Sequence, residues 1–209
     1  MKKRMLLLLC MVVCWQAGWS QKSIEAIRDR YASYKNYIAT HTGTNQYDGG
    51  EWAEYYHIEV RQTLPGTGGH MEDVYMYWDE KESDDLVYPP HYLTFATTKY
   101  NFAARVFYEE YMFDIDGNPE FIYAYDPLWA PGESTEDAQY EFRFYLSKGK
   151  LIKAVIKKRT ADDQPYTDVF SGTSLKKEFA KVFSNYKANA ARIKQLFIHI
   201  EDSSYSYSE

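Results

Sequence analysis

Cysteine is nearly absent from this chain: there are two in 209 residues, Cys10 and Cys14, both close to the start. No Asn-x-Ser/Thr triplet occurs anywhere, so the chain offers no acceptor for N-linked glycan. Long apolar runs are missing too, apart from one between Met5 and Trp15. That run is shorter than the roughly 20 residues a helix needs to cross a bilayer. No Gly/Ser-rich or Pro-rich linker divides the sequence. Positive charge is in deficit, with 24 Lys and Arg against 30 Asp and Glu. Clustered cations are what nucleic acid and anionic membranes require, so neither is expected as a partner.

The apolar run follows Lys2, Lys3 and Arg4 and precedes Gly18 and Ser20. A charged start, a short apolar stretch and small residues before a cut are the parts of a secretory signal. Residues 1–20 are therefore expected to be removed before Gln21. Leu9 and Val13 stand before the cysteines where a lipid-attachment site needs small residues, so lipid anchoring is the weaker expectation. Cleavage removes both cysteines, which excludes disulfides and thiol catalysis together. Taking Lys2, Lys3 and Arg4 from the 24 basic residues leaves 21 against 30 acidic, a net charge of −9 instead of −6. The absence of disulfides and glycan sites points to a bacterial periplasmic or secreted protein with no transmembrane anchor after cleavage.

What remains is a length suited to one domain, expected over 21–200, with a polar acidic tail over 201–209. Ile24, Ile27, Tyr31, Tyr34 and Ile38 recur at helical spacing after Ser23, a candidate N-cap. Phe179, Val182, Phe183, Tyr186, Ala190, Ile193, Leu196, Phe197 and Ile200 form a longer stripe after Ser174. Between the two helices the period changes to two. Strands are expected near 52–62, 70–79, 92–97, 100–114, 119–126, 139–147 and 150–159. Turn residues separate them: Pro65 to Gly69, Asp116-Gly117 and Lys148-Gly149.

The expected class is α+β: an N-terminal helix, an antiparallel meander of six or seven strands, and a long amphipathic C-terminal helix packed on the sheet. In outline this order resembles helix-grip and cystatin-like domains, in which a curved sheet wraps a helix and can enclose a cavity. The competing arrangement is a nearly closed barrel with the helix outside. The resemblance rests on element order alone and implies no function.

Candidate sites are few. Asp114-Ile-Asp-Gly-Asn118 alternates acids around a glycine, but the apolar residues that follow fit a hairpin turn better than a calcium loop. The histidines are scattered, with His57 and His70 the one pair able to meet across a hairpin; no metal site or cofactor is expected. Glu109 and Glu110 stand in an otherwise apolar strand and Glu141 in a nearby one. They are candidate acid/base residues for a hydrolase, set against a Glu–Arg ladder with Arg105 and Arg143 on a solvated face. Trp129 lies in the loop Asp126 to Glu133, and Tyr88, His91 and Tyr92 in a proline-stiffened segment. Rigid aromatic loops suit sugar stacking or protein docking, whereas a Trp129 folded back would plug the end of the sheet.

The expected function is a non-enzymatic exported binding or interaction protein. Its partner would be a protein, a carbohydrate or a small apolar ligand. The alternatives are a carrier of a small apolar ligand between sheet and C-terminal helix, and a hydrolase using the strand carboxylates.

Overall fold

The computed structural model describes residues 23–41, 54–82, 89–127, 129 and 138–204. The expected signal segment and Tyr88 lie outside the described residues. A first helix, α1, occupies 23–40. Eight strands follow: β1 (Tyr55–Leu64), β2 (Gly68–Glu80), β3 (His91–Phe102), β4 (Arg105–Phe113), β5 (Pro119–Asp126), β6 (Gln139–Ser147), β7 (Lys150–Arg159) and β8 (Thr167–Gly172). Helix α2 (Lys177–Ser204) closes the order. The strands form one antiparallel sheet in sequence order, β1 to β8, so the α+β class is as expected.

Two details differ from the sequence expectation. The strand count among the described residues is eight, because Thr167–Gly172 adds a short edge strand beside β7. Only Val169 and Phe170 in it are large and apolar, which is too little for a periodic signal. The strand break expected near residue 98 falls instead at Ala103, which takes φ +54° in the turn between β3 and β4. The Lys148-Gly149 turn is as its residues suggest, with both in the left-handed region at φ 49° and 70°. A two-residue type I′ hairpin demands that conformation at both positions.

Each face of the sheet carries one helix. Because side chains alternate along a strand, each face presents cross-strand rows of side chains. One row runs Met76, Ala96, Tyr111, Ile122, Phe144, Ala154, and every member has no accessible surface. This face receives α2. At 1.5 Å per residue, 28 residues reach about 42 Å, and seven strand spacings of about 4.8 Å come to about 34 Å. The helix is thus long enough to cross the whole sheet. Its contacts show that it does: Phe179 meets Phe170 of β8, Phe183 meets Phe144 of β6, and Phe197 meets Tyr56 of β1. It continues through Ser204, four residues into the stretch expected to fray. Glu201 there accepts from Tyr56 and pairs with His91 at 3.2 Å.

The opposite face receives α1. Ile24 and Ile27, each 3% exposed, pack with Tyr77, Phe95, Met112, Phe121 and Tyr145. Those five partners form a single cross-strand row from β2 to β6. The helix therefore lies across the strands, its start over β6 and Tyr34 over Phe95 of β3. Its apolar stripe is narrow, so it covers one row fully and the row beside it only in part.

Candidate functional site

The row beside α1 is polar and aromatic: Glu110 of β4 pairs in register with Tyr123 of β5, and Tyr123 with Arg143 of β6. The next row holds Tyr108, Tyr125, Glu141 and Lys157. Between these rows and α1 is an open pocket of about 480 Å³. Ile27, Tyr31, Phe121 and Tyr145 form its wall towards the helix, with Tyr108, Glu110, Tyr123 and Arg143 on the sheet side. Pockets that hold small organic molecules have volumes of roughly 300–1,000 Å³ and combine apolar walls with a few polar groups.

Glu110 organises the inner end. Its carboxylate is 2% exposed and takes three donors: Lys35 Nζ at 2.6 Å and Tyr108 Oη at 2.7 Å on Oε1, and Tyr31 Oη at 2.5 Å on Oε2. A buried carboxylate is costly unless it is paired and hydrogen-bonded in this way. The lysine neutralises it, and the two phenols are held in fixed orientations. Burial, then the adjoining Glu110 carboxylate, push the Tyr31 and Tyr108 hydroxyls far above the usual phenol range. Each phenol commits its proton to the carboxylate, so its oxygen lone pairs are what remain for a ligand.

Tyr123 donates to Glu141 at 3.2 Å, and Arg143 pairs with Glu141 at 2.7 Å while lying over the Tyr123 ring at 5.4 Å. Across from it, Arg28 of α1 donates to Tyr145 Oη at 3.4 Å and covers that ring at 5.5 Å. Two guanidinium groups thus flank the pocket at the side facing β7 and β8.

Glu109 is also 2% exposed but faces α2. It accepts from Tyr111, from Tyr100 at 3.0 Å and from Asn189 Nδ2 at 3.3 Å. Burial pushes its carboxyl above the usual range against the pull of those three donors. The sheet itself separates Glu109 from Glu110, so the two cannot attack one bond from opposing sides. Glu141 shares a face with Glu110 but is two strands away and one row along, about 12 Å by backbone spacing. Of the expected ladder with Arg105 and Arg143, the Glu141–Arg143 pair alone forms among the described residues, at 2.7 Å. Both strand glutamates are buried, and Arg105 is exposed at the start of β4.

The aromatic candidates are dispersed. Trp129 is half-buried, edge-on to Tyr140 and Phe142 at 4.8 and 5.5 Å, and 5.4 Å from Phe179 at the start of α2. Its ring packs against the end of the sheet. His91 stacks on Trp78 at 3.6 Å on the α2 side, whereas Tyr92 lies on the α1 side near Tyr34 and Asp79. Adjacent on one strand, these two point to opposite faces and share no site. His57 and His70 are likewise apart: His57 stacks on Tyr75 and bonds Asp73, while His70 meets the Asn101 carbonyl. Asp114 accepts from the Asn118 amide at 2.7 Å, as a hairpin turn requires. No group of three or more metal-binding side chains occurs among the described residues, and no helix among them is long and apolar enough to cross a membrane.

Glu110 and Arg143 stand out in the sequence as charges in apolar strands. Tyr31, Lys35 and Arg28 carry no such mark, although their spacing puts all three on adjoining positions of one helical face. What hides them is that only the docking of α1 brings this face to the sheet. Comparison of the chain with protein-family models, with curated proteins and with solved structures finds no match.

Proposed function

We propose that this chain is an exported binding protein that holds a small organic molecule in the pocket between α1 and the sheet. The observation that carries this reading is the pocket's construction, with ring walls around a buried carboxylate held by three donors. Glu110 is 2% exposed and its oxygens already take three donors from the protein, so a substrate has little access to it, which favours holding over catalysis. The face under α2 offers less room, because its central row, from Met76 to Ala154, has no accessible surface. That favours the α1 side over a carrier site beneath the C-terminal helix. The signal-like pattern of residues 2–20 supports the exported half of the proposal.

Native mass spectrometry of protein purified from its own host tests both halves. The expected result is a chain beginning at Gln21 that carries an organic adduct lost on denaturation. Arg28→Trp, a bulky change at an exposed position on the pocket rim, should remove the adduct and leave the melting temperature nearly unchanged. A chain retaining residues 1–20 would overturn export. Repeated absence of any adduct, or its persistence in Arg28→Trp, would overturn the pocket.

A further inference from the structure

The pocket does not end at Arg28 and Arg143. A second hollow of about 380 Å³ shares Arg28, Arg143 and Tyr145 with it and extends over β7 and β8. Lys153, Val155, Lys157, Asp168 and Ser171 line the extension. The register explains the lining: Tyr145 pairs with Lys153, Arg143 with Val155 and Glu141 with Lys157, so the three rows of the pocket run directly into it. The wall chemistry changes along the way, from phenol rings over β4 and β5 to amines over β7.

Charge is unbalanced there. Four cations, Arg28, Arg143, Lys153 and Lys157, line this second hollow. Against them stand Glu141, already paired with Arg143, and Asp168, 3.6 Å from Lys157. Lys153 has no acidic partner among the described residues. A local surplus of about two positive charges runs against a chain whose net charge is −6. Like charges gathered in a concave site repel one another unless an anion joins them, and a cleft of one sign concentrates its counter-ion. The guanidinium groups are also pre-positioned: each lies over a tyrosine ring, and their remaining N–H groups are suited to a planar oxyanion.

We infer that the ligand is an aromatic carboxylate: its ring system occupies the tyrosine-lined pocket, and its carboxylate sits in the adjoining hollow among Arg28, Arg143, Lys153 and Lys157. A hydroxyl at the far end of the ring system would donate to the phenol oxygens of Tyr31 and Tyr108, whose own protons go to Glu110. This inference rests on the pocket reading proposed above and adds the ligand's charge and orientation to it.

The test compares hydroxynaphthoate with its uncharged amide, hydroxynaphthamide, by fluorescence titration and methyl NMR. Ile27 and Val155 report on the two hollows, and Ile122, on the α2 face, serves as the control. The acid should bind about tenfold more tightly than the amide, and the difference should shrink at high ionic strength. Both probes should shift Ile27, and the acid should also shift Val155, with Ile122 unmoved. The double variant Lys153→Gln/Lys157→Gln should weaken the acid about tenfold and leave the amide unchanged. If acid and amide bind equally, both shift Ile27 and the double variant changes nothing, the pocket stands and the carboxylate inference falls. If neither probe shifts Ile27 or Val155, the pocket itself falls and the inference goes with it.

Discussion

Glu109 and Glu110 are neighbours in β4, both buried, and each is tied to a different helix. Glu109 accepts from Asn189 of α2, while Glu110 accepts from Tyr31 and Lys35 of α1. One strand therefore anchors a helix on each face of the sheet through a carboxylate. The two differ in charge balance. Glu110 has a lysine in direct contact, whereas the three hydrogen-bond donors to Glu109 are all uncharged.

That difference sets a pH dependence. Burial raises the Glu109 carboxyl above its usual value of 4.5 in the folded protein. A raised acid contributes stability that is fully present below the unfolded value and is lost as pH rises through the folded one. Glu109→Gln is neutral throughout, so it should gain stability over the parent at pH 7, and the gain should vanish towards pH 4.5. Urea unfolding of both proteins across that interval measures it. A difference that stays constant with pH would show that Glu109 does not titrate in this way.

The tyrosines set the alkaline limit. Burial raises Tyr31, Tyr100, Tyr108, Tyr111, Tyr123 and Tyr186 well above 10, and Tyr77 to about 12. Groups raised on folding contribute stability that is present below pH 10 and lost above it. Phenolate absorbance should therefore rise in two stages, exposed rings near pH 10 and the buried set together with loss of far-ultraviolet circular dichroism. A single smooth titration centred near 10 in the folded protein would contradict the burial of these rings.

Trp129 should behave as a packing residue. Its ring fills space between Tyr140, Phe142 and Phe179. Trp129→Ala is expected to cost roughly 2–3 kcal/mol, below the range for a fully buried aromatic because the ring is only half-buried. Binding of hydroxynaphthoate at the α1 face should be unaffected at temperatures where the variant is folded. Loss of binding without loss of stability would place the ligand at Trp129 instead.

Much of the architecture is legible in the amino-acid order alone. The α2 stripe spans about six turns and so has to lie on an apolar surface, and the hairpin turns at Gly117 and Gly149 carry residues that accept positive φ. β8 escapes such a reading because an edge strand with two large apolar residues has no period. In the site, Glu110 is conspicuous as a charge out of place, yet its partners on α1 come from 75 and 79 residues away in the chain.

The sequence by itself determined the class, the two helices and the hairpin turns at Asp116-Gly117 and Lys148-Gly149. These follow from local periodicity and turn chemistry, which act over a few residues. Only the tertiary structure decided that both faces are covered, that α1 lies across the row from Tyr77 to Tyr145, and that the next row opens into a pocket. Cross-strand rows depend on register, and register here includes irregularities at Tyr77/Trp78, Met112/Phe113, Tyr145/Leu146 and Ile156/Lys157. Each one offsets the pairing on one side of it, so no count along the chain places Lys153 beside Arg28. The sum of all pairings and the docking of both helices does.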